Sequence, residues 1–376
     1  MRDIKTVLSL FDGMSGGQQT LVNTGIEYEK YYASEVDKYA ISITMKNFPN
    51  TIQLGSVVDV KAKDLDKIDL LIGGSPCQSF SFAGKQNGMT VEGGEEILTL
   101  KRYIELKKGG FEFEGQSYLF WEYVRILKET KPKYFFLENV MMSEKWEKII
   151  TKTLGIAPLK INSSLVSAQN RKRLYWTNIG VQKDKNDLFG GMKSIIPQPK
   201  DRGILLKHIL QNDVDEKYNL SDKSCAYITN NKRIKKKLTA LNGDKTLCLM
   251  SQYNQSKNGT FVCVDSNGRI DKEKTGTLTQ RYYKGVENHG SSPFLLKIDI
   301  VYDSKGLSPT LTATQSDLKI TTNFTNIRRL TPIECERLQG FEDDYTKGVS
   351  DSQRYKMLGN GWQIDTIQHI FEYLKG

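Results

Sequence analysis

The sequence predicts an α/β fold: a doubly wound, mostly parallel sheet with a smaller strand-rich domain inserted into it. Three observations predict it. Short apolar runs alternate with helical patterns over the first 180 residues, a stretch of different texture follows, and regular helix signals return at Thr331. Strands alternating with helices argue for a parallel sheet covered on both faces. Strands are expected at 7–11, 30–34, 51–54, 70–72, 134–137, 164–166 and 174–179, each too short for a helix and bounded by Gly, Pro or Asp. Helical stretches between them include 38–48, 119–129 and 144–154. After Gly180, Pro197 and Pro199 punctuate a linker, and Asn, Thr, Ser and Gly become frequent. Three segments there resemble one another: Lys245-Thr246-Leu247, Thr275-Gly276-Thr277-Leu278-Thr279 and Ser308-Pro309-Thr310-Leu311-Thr312. Their spacing is close to that of repeated strand–turn units. Thr331-Pro332-Ile333-Glu334 reads as a capping box with Pro at the first helical position, Gly340 stops that helix, and a last helix is expected at about 362–374. The expected division is a first catalytic part at 1–190, an inserted domain at 191–326 and helices at 327–376 that complete the first part.

Composition narrows the function. A chain of 376 residues with 38% hydrophobic residues is large enough for about two domains with a sizeable core. It has no run of eighteen apolar residues, its mean hydropathy is −0.48, and the apolar start at 7–11 is too short for a signal peptide. Neither a membrane nor a secretory route is expected. The five cysteines, at 77, 225, 248, 263 and 335, form no CxxC pair, so a reducing cytoplasm and no metal cluster are expected. Net charge is +10, and residues 191–326 carry 21 basic against 13 acidic side chains, leaving the remainder at +2. A basic excess confined to one segment points to a polyanion there; a solvated lysine-rich face is the plainer alternative.

Chemistry-bearing residues recur at strand ends. The first strand runs into Phe11-Asp12-Gly13-Met14-Ser15-Gly16-Gly17, a glycine turn that brings backbone amides to a ligand but lacks GxGxxG spacing. A dinucleotide pyrophosphate is thereby disfavoured. Glu35 closes the second strand, where an acid accepts hydrogen bonds from ribose hydroxyls, so the pair suits an adenosine-containing cofactor. Cys77 lies in Gly73-Gly74-Ser75-Pro76-Cys77-Gln78-Ser79, directly after a buried strand whose end is fixed by two glycines and a proline. A lone cysteine is more often a small core residue, but this position is where a doubly wound sheet presents reactive groups. Glu138 ends the run Tyr134-Phe135-Phe136-Leu137, a partly dry place for a proton donor. Arg171 and Arg173 precede Leu174-Tyr175-Trp176; strand alternation puts them on one face, able to lower a thiol's pKa and hold a phosphate or base.

In this order the pieces resemble the DNA (cytosine-5)-methyltransferase family. Pro76-Cys77-Gln78, Glu138-Asn139-Val140 and Gln169-x-Arg171-x-Arg173 match its catalytic motifs, while 328–341 and Gly359-Asn360-Gly361-Trp362 match its C-terminal ones. The wording Ser9-Leu10-Phe11-Asp12-Gly13 is similar to the branch of animal de novo enzymes and related phage and bacterial proteins. The resemblance implies a Rossmann-like methyltransferase sheet and a target-recognition domain where the charge excess lies. It implies S-adenosyl-L-methionine held by Phe11, Asp12, Gly13, Gly16, Glu35, Val36, Ser56, Val57, Pro76, Leu119, Asn360 and Trp362. Its catalytic residues would be Cys77, Glu138, Arg171 and Arg173, acting on a cytosine flipped out of double-stranded DNA, without metal. Where the family has an acid before the adenine-flanking residue this chain has Ser56, and Asp59 is the nearby acid that could replace it. Gln78, Ser81, Arg281, Tyr283 and Lys284 are the expected DNA contacts; the last three group two cations and an aromatic beside Gly285. A monomeric, cytoplasmic, nucleoid-associated protein of bacterial or phage origin is expected, with a role in DNA methylation or restriction–modification. A tRNA cytosine-5 methyltransferase, a silent DNA-binding regulator and a nicotinamide oxidoreductase are the alternatives. The first carries a Cys-Phe-Thr tripeptide that this chain lacks, the second has no use for both Cys77 and Glu138, and the third wants GxGxxG.

Overall fold

A computed structural model of the chain describes residues 4–76, 89–91, 94–183, 192–221, 246–247, 249, 261–264 and 326–375. Seven strands form one sheet: β1 (Thr6–Leu10), β2 (Lys30–Ser34), β3 (Ile52–Gln53), β4 (Leu70–Gly73), β5 (Tyr134–Val140), β6 (Leu159–Asn162) and β7 (Lys172–Thr177). Their order is β3-β2-β1-β4-β5-β7-β6. All pairings are parallel except those of β7, which runs antiparallel to both β5 and β6. The chain winds outward from β1 to β3, then crosses to β4 and winds the other way, so the order reverses between β1 and β4.

The apolar runs are continuous because both faces are covered. Helices α1 (Gly16–Thr24), α2 (Lys38–Asn47), α3 (Leu100–Lys108), α4 (Phe120–Thr130), α5 (Glu144–Leu154), α6 (Pro332–Gln339), α7 (Asp351–Asn360) and α8 (Ile364–Phe371) do the covering. Period-two alternation divides each strand between two cores. Val7, Leu70, Ile72, Phe136 and Tyr175 pack with Leu21 of α1 and Ile367, Ile370 and Phe371 of α8. Leu8, Leu10, Leu71, Leu137, Leu174 and Trp176 pack with Tyr103 of α3, Trp121 and Val124 of α4 and Trp146 and Ile150 of α5. A third core gathers Met14, Leu206, Ile209, Leu249, Leu330, Cys335, Leu338 and Leu358, joining the C-terminal helices to pieces of the middle segment.

The expected alternation of strands and helices is present, with local corrections. The strand expected at 164–166 lies earlier, at β6. Residues Ser163–Leu165 form a single 3-10 turn instead, because the Asn162 side chain accepts the Ser164 N–H at 3.2 Å and bends the chain there. Helices α1, α3 and α7 were not among those expected, and Trp362 stands outside α8, whose N-cap is Gln363. The α6 start matches its expectation: Thr331 and Glu334 form a reciprocal capping box with Pro332 inside it, and Gly340 closes the helix at φ 80°. In the middle segment, Val181–Lys183 pairs with Met192–Ser194, Thr246–Leu247 runs parallel to Gln169–Asn170, and Phe261–Val264 runs antiparallel to Asn326–Arg329. The second and third Thr-Leu-Thr segments lie outside the described residues.

Glu334 shows what ties these parts together. Fully buried, it takes both Arg328 guanidinium nitrogens at 2.8 Å, the Thr331 N–H at 2.8 Å and the Gln211 N–H at 2.8 Å. Removing one partner of a buried ion pair strands the other charge, at about 3–5 kcal/mol. Glu334→Ala should lower the free energy of unfolding in urea by that amount, and a loss below about 1 kcal/mol would show that water or a neighbour satisfies Arg328.

Candidate active site

In a doubly wound sheet, ligands lie beyond the carboxyl ends of the strands where the order reverses. Here that is the crevice between β1 and β4. The turn after β1 holds three left-handed residues in five positions, Phe11 at φ 59°, Gly13 at φ 60° and Ser15 at φ 63°. Two of them carry side chains, a strained backbone of the kind found at ligand sites. A Cβ at Gly13 would meet nothing within 4 Å, so the turn opens on space. Glu35, at the end of β2, is locked to it: Oε2 accepts the Gly13 N–H at 2.8 Å, and Oε1 accepts those of Val36 and Asp37 at 2.7 and 2.9 Å. A carboxylate held by three amides has a fixed direction and keeps lone pairs for hydroxyls. Val36 beside it is 72% exposed, and Phe11, Val57 and Leu119 border one hydrophobic cluster. Ser56 opens a turn closed by the Asp59 N–H on its carbonyl at 3.0 Å, with Asp59 exposed. Apolar side chains beside fixed acceptors fit an adenosine.

Asp12 lies between these groups. Its Oδ1 accepts the Tyr31 hydroxyl at 2.8 Å, while Oδ2 is buried without a hydrogen-bond partner. Burial raises its carboxyl to about 6, against the Tyr31 hydroxyl bond and with the Glu35 charge adding to the rise. An orphaned buried carboxyl oxygen beside an anchored acid suits a cationic, hydroxyl-bearing ligand and repels a pyrophosphate. The residues present therefore fit S-adenosylmethionine.

The far wall comes from β4 and β5. Asn139 Nδ2 donates to the Ser75 carbonyl and hydroxyl at 3.3 and 3.0 Å, fixing the residues that lead through Pro76 to Cys77. Arg173 pairs with Val140 in the β5–β7 register, so it shares a face with Glu138 two residues away. Its Nε lies 2.9 Å from Glu138 Oε1, an ion pair whose N–H does not point along that vector. Glu138 Oε2 faces Gly74, whose added Cβ would be 3.3 Å from it and 2.8 Å from Trp362 Nε1. Gly74 therefore must be glycine for carboxylate, indole and strand end to meet. Trp362 also sits edge-on to Phe136, at 5.3 Å between centroids.

The other expected arginine, Arg171, is tied to the C-terminal motif. Strand β7 begins at Lys172, and Arg171 is 3% exposed. Its guanidinium donates to the carbonyls of Leu249, Gly359 and Gly361, so it faces the C-terminal motif. Gly16 is packed as well: its Cβ would lie 3.4 Å from Ile364 Cδ1 and 3.7 Å from Trp362 Cβ. Asn360 is exposed at the end of α7. Cys77, Gln78, Ser81, Arg281, Tyr283 and Lys284 lie outside the described residues. Sequence reasoning missed Tyr31, Asn139's tie to Ser75, and Tyr123, whose ring would crowd a Gly73 Cβ at 3.0 Å and whose hydroxyl donates to the Phe136 carbonyl at 3.1 Å. A tyrosine in a strand or apolar helix carries no signal beyond core packing.

The sheet order and the residues at its carboxyl edge define a Rossmann-like methyltransferase. The chain belongs to the C-5 cytosine-specific DNA methylase family, whose model matches residues 5–376, and is a DNA cytosine methyltransferase. It is 28% identical to the orphan methyltransferase M.SPRI of Bacillus phage SPR, over 98% of this chain and 97% of that one. It is 29% identical to the type II methyltransferase M1.ScrFI of Lactococcus lactis subsp. cremoris, over 97% of this chain and 77% of the relative. In fold it is similar to a Spodoptera frugiperda DNMT2 variant, with a TM-score of 0.62, 18% identity, and coverage of 99% and 100% of the two chains. The Entamoeba histolytica methyltransferase EhMeth matches with a TM-score of 0.62 at 17% identity over 99% and 98%. No helix among the described residues is long and apolar enough to cross a membrane.

Asp12 sets a pH dependence. Its folded pKa of about 6 exceeds the roughly 3.9 of an unfolded Asp. The folded chain therefore holds the extra proton, and the contribution is fully present below about pH 4 and lost as pH rises through about 6. Asp12→Asn keeps an acceptor for Tyr31 and should stabilise the protein at pH 8, by up to about 3 kcal/mol, while changing little at pH 4. Urea midpoints of both proteins at both pH values measure this; an equal effect at the two would remove Asp12 as the titrating group.

Proposed function

We propose that the protein transfers a methyl group from S-adenosyl-L-methionine to carbon 5 of a flipped-out cytosine in double-stranded DNA. The observation that carries this reading is the Glu138–Arg173 pair at the β4 edge, with Glu138 Oε2 turned toward the Gly74–Pro76 strand end that leads into Cys77. Carbon 5 of cytosine is a poor nucleophile until the ring is activated. Cys77, as a thiolate, adds to carbon 6, and Glu138 hydrogen-bonds and protonates ring nitrogen 3 as charge develops there. Arg173 holds Glu138 in place and contributes positive charge beside the base. The bound S-adenosylmethionine, against Phe11, Asp12, Glu35, Val36 and Val57, supplies an electrophilic methyl group. After transfer, water removes the carbon-5 proton and Cys77 leaves. A stacked base cannot reach such a pocket, so the cytosine leaves the duplex. Residues 191–326, with the chain's basic excess, supply target recognition through contacts that include Arg281, Tyr283 and Lys284.

Labelled S-adenosylmethionine offered with duplex DNA and with tRNA should mark the DNA alone; label on tRNA alone would transfer the reading to the tRNA enzymes of the fold. Duplexes carrying 5-fluorocytosine cannot lose the carbon-5 substituent. Wild type should form an adduct that survives a denaturing gel, and Cys77→Ala should form none while unfolding at the wild-type urea midpoint. A wild type that methylates ordinary DNA yet traps nothing would refute the covalent route.

A further inference from the structure

The turn after β3, closed within itself by the Asp59 N–H on the Ser56 carbonyl, is also held from outside. Residues 55–60 leave β3 with two carbonyls, those of Val57 and Val60, directed at helix α4, where Arg125 Nη2 donates to them at 3.3 and 3.0 Å. Arg125 is in turn fixed by Glu122 one helical turn before it, at 2.6 Å, and by Glu129 one turn after, at 2.9 Å. Glu122 is fully buried and also takes the Tyr103 hydroxyl at 2.5 Å and Lys107 Nζ at 2.6 Å, both from α3. A wholly buried carboxylate with two cations and a hydroxyl is a costly arrangement that an apolar core could replace. Its effect is geometric: the i, i+3 and i, i+4 acids aim a planar fork that reaches two carbonyls on another element. Lysine, a point charge, cannot make all of these contacts at once.

We propose that Arg125 is a positioning residue for the cofactor, holding the Gly55–Val60 turn at the height that lets Val57 and Ser56 meet the adenine, and that Glu122 makes helix α3 part of the same support. This rests on the S-adenosylmethionine reading above. Neither residue touches the cofactor or the base, so the effect falls on cofactor affinity and not on chemistry.

The test measures S-adenosylmethionine binding by calorimetry and full methylation kinetics for wild type, Arg125→Lys and Tyr103→Phe. The expected result for Arg125→Lys is a dissociation constant and a cofactor KM raised about tenfold, equivalent to about 1.4 kcal/mol, with kcat at saturating cofactor and the KM for DNA within about twofold of wild type. Tyr103→Phe removes one hydrogen bond from Glu122 and leaves every charge in place; it should raise the cofactor KM alone, by about threefold, and it carries the test if Arg125→Lys fails to fold. A purely structural role would lower the urea midpoint and leave the split between KM and kcat unmoved, which would overturn the proposal. So would a fall in kcat at saturating cofactor. Wild type that binds S-adenosylmethionine beside variants of equal affinity refutes this inference alone, whereas wild type that does not bind it refutes the cofactor reading and this inference with it.

Discussion

The buried guanidinium of Arg171 is the constraint on which the arrangement of the site depends. An arginine cannot shed its charge, and once out of water its donors must be satisfied by protein. Here the carbonyls of Leu249, Gly359 and Gly361 converge on it from positions 78, 188 and 190 residues away. Three chain segments that meet nowhere else in sequence are thereby brought to one cation. The Gly361 carbonyl, at 2.8 Å, sets where the chain enters Trp362, and that indole fills the space between Gly17, Gly74 and Phe136. The carboxyl end of β4 is shaped against a ring that Arg171 helps to place.

The same logic of buried charge recurs around the sheet. Glu334 binds Arg328 and the backbone of Gln211; Glu336 binds Arg354 and the backbone of Asp344 and Thr346; Glu122 binds Arg125, Lys107 and Tyr103. Each carboxylate joins elements that are apart in sequence, and each is too costly to bury for stability alone. They specify where the C-terminal helices and α3 dock against the sheet, which hydrophobic packing would leave freer to slide. At the crevice the opposite holds: Asp12 Oδ2 is left without a partner and Phe11 and Ser15 take left-handed backbone, the kind of local cost that ligand sites carry.

Much of the site was legible because its residues lie at strand ends. Phe11, Glu35, Ser75 and Glu138 each follow a short apolar run, and a doubly wound sheet gathers such ends along one edge. The capping box at Thr331 was equally readable, since its reciprocal bonds join residues only three apart in the chain. The partners of Arg171 were not legible, for a physical reason. Its carbonyl acceptors come from segments 78 to 190 residues away, beyond the reach of any local pattern. The strand expected at 164–166 failed through side-chain chemistry that periodicity does not count, the Asn162 amide capping Ser164.

By itself the sequence determined the fold class, the alternation of strands with helices, and the motif order that marks a C-5 cytosine methylase, because these depend on local periodicity and on residues near one another. Tertiary structure decided which distant groups share a space. It placed Glu138 beside Arg173 and Gly74, Asp12 beneath Tyr31, and the Val57 carbonyl on Arg125. Those pairings span roughly 20 to 70 residues and follow from strand order and helix docking, which are set by the whole core burying both faces of the sheet and by no single segment of it.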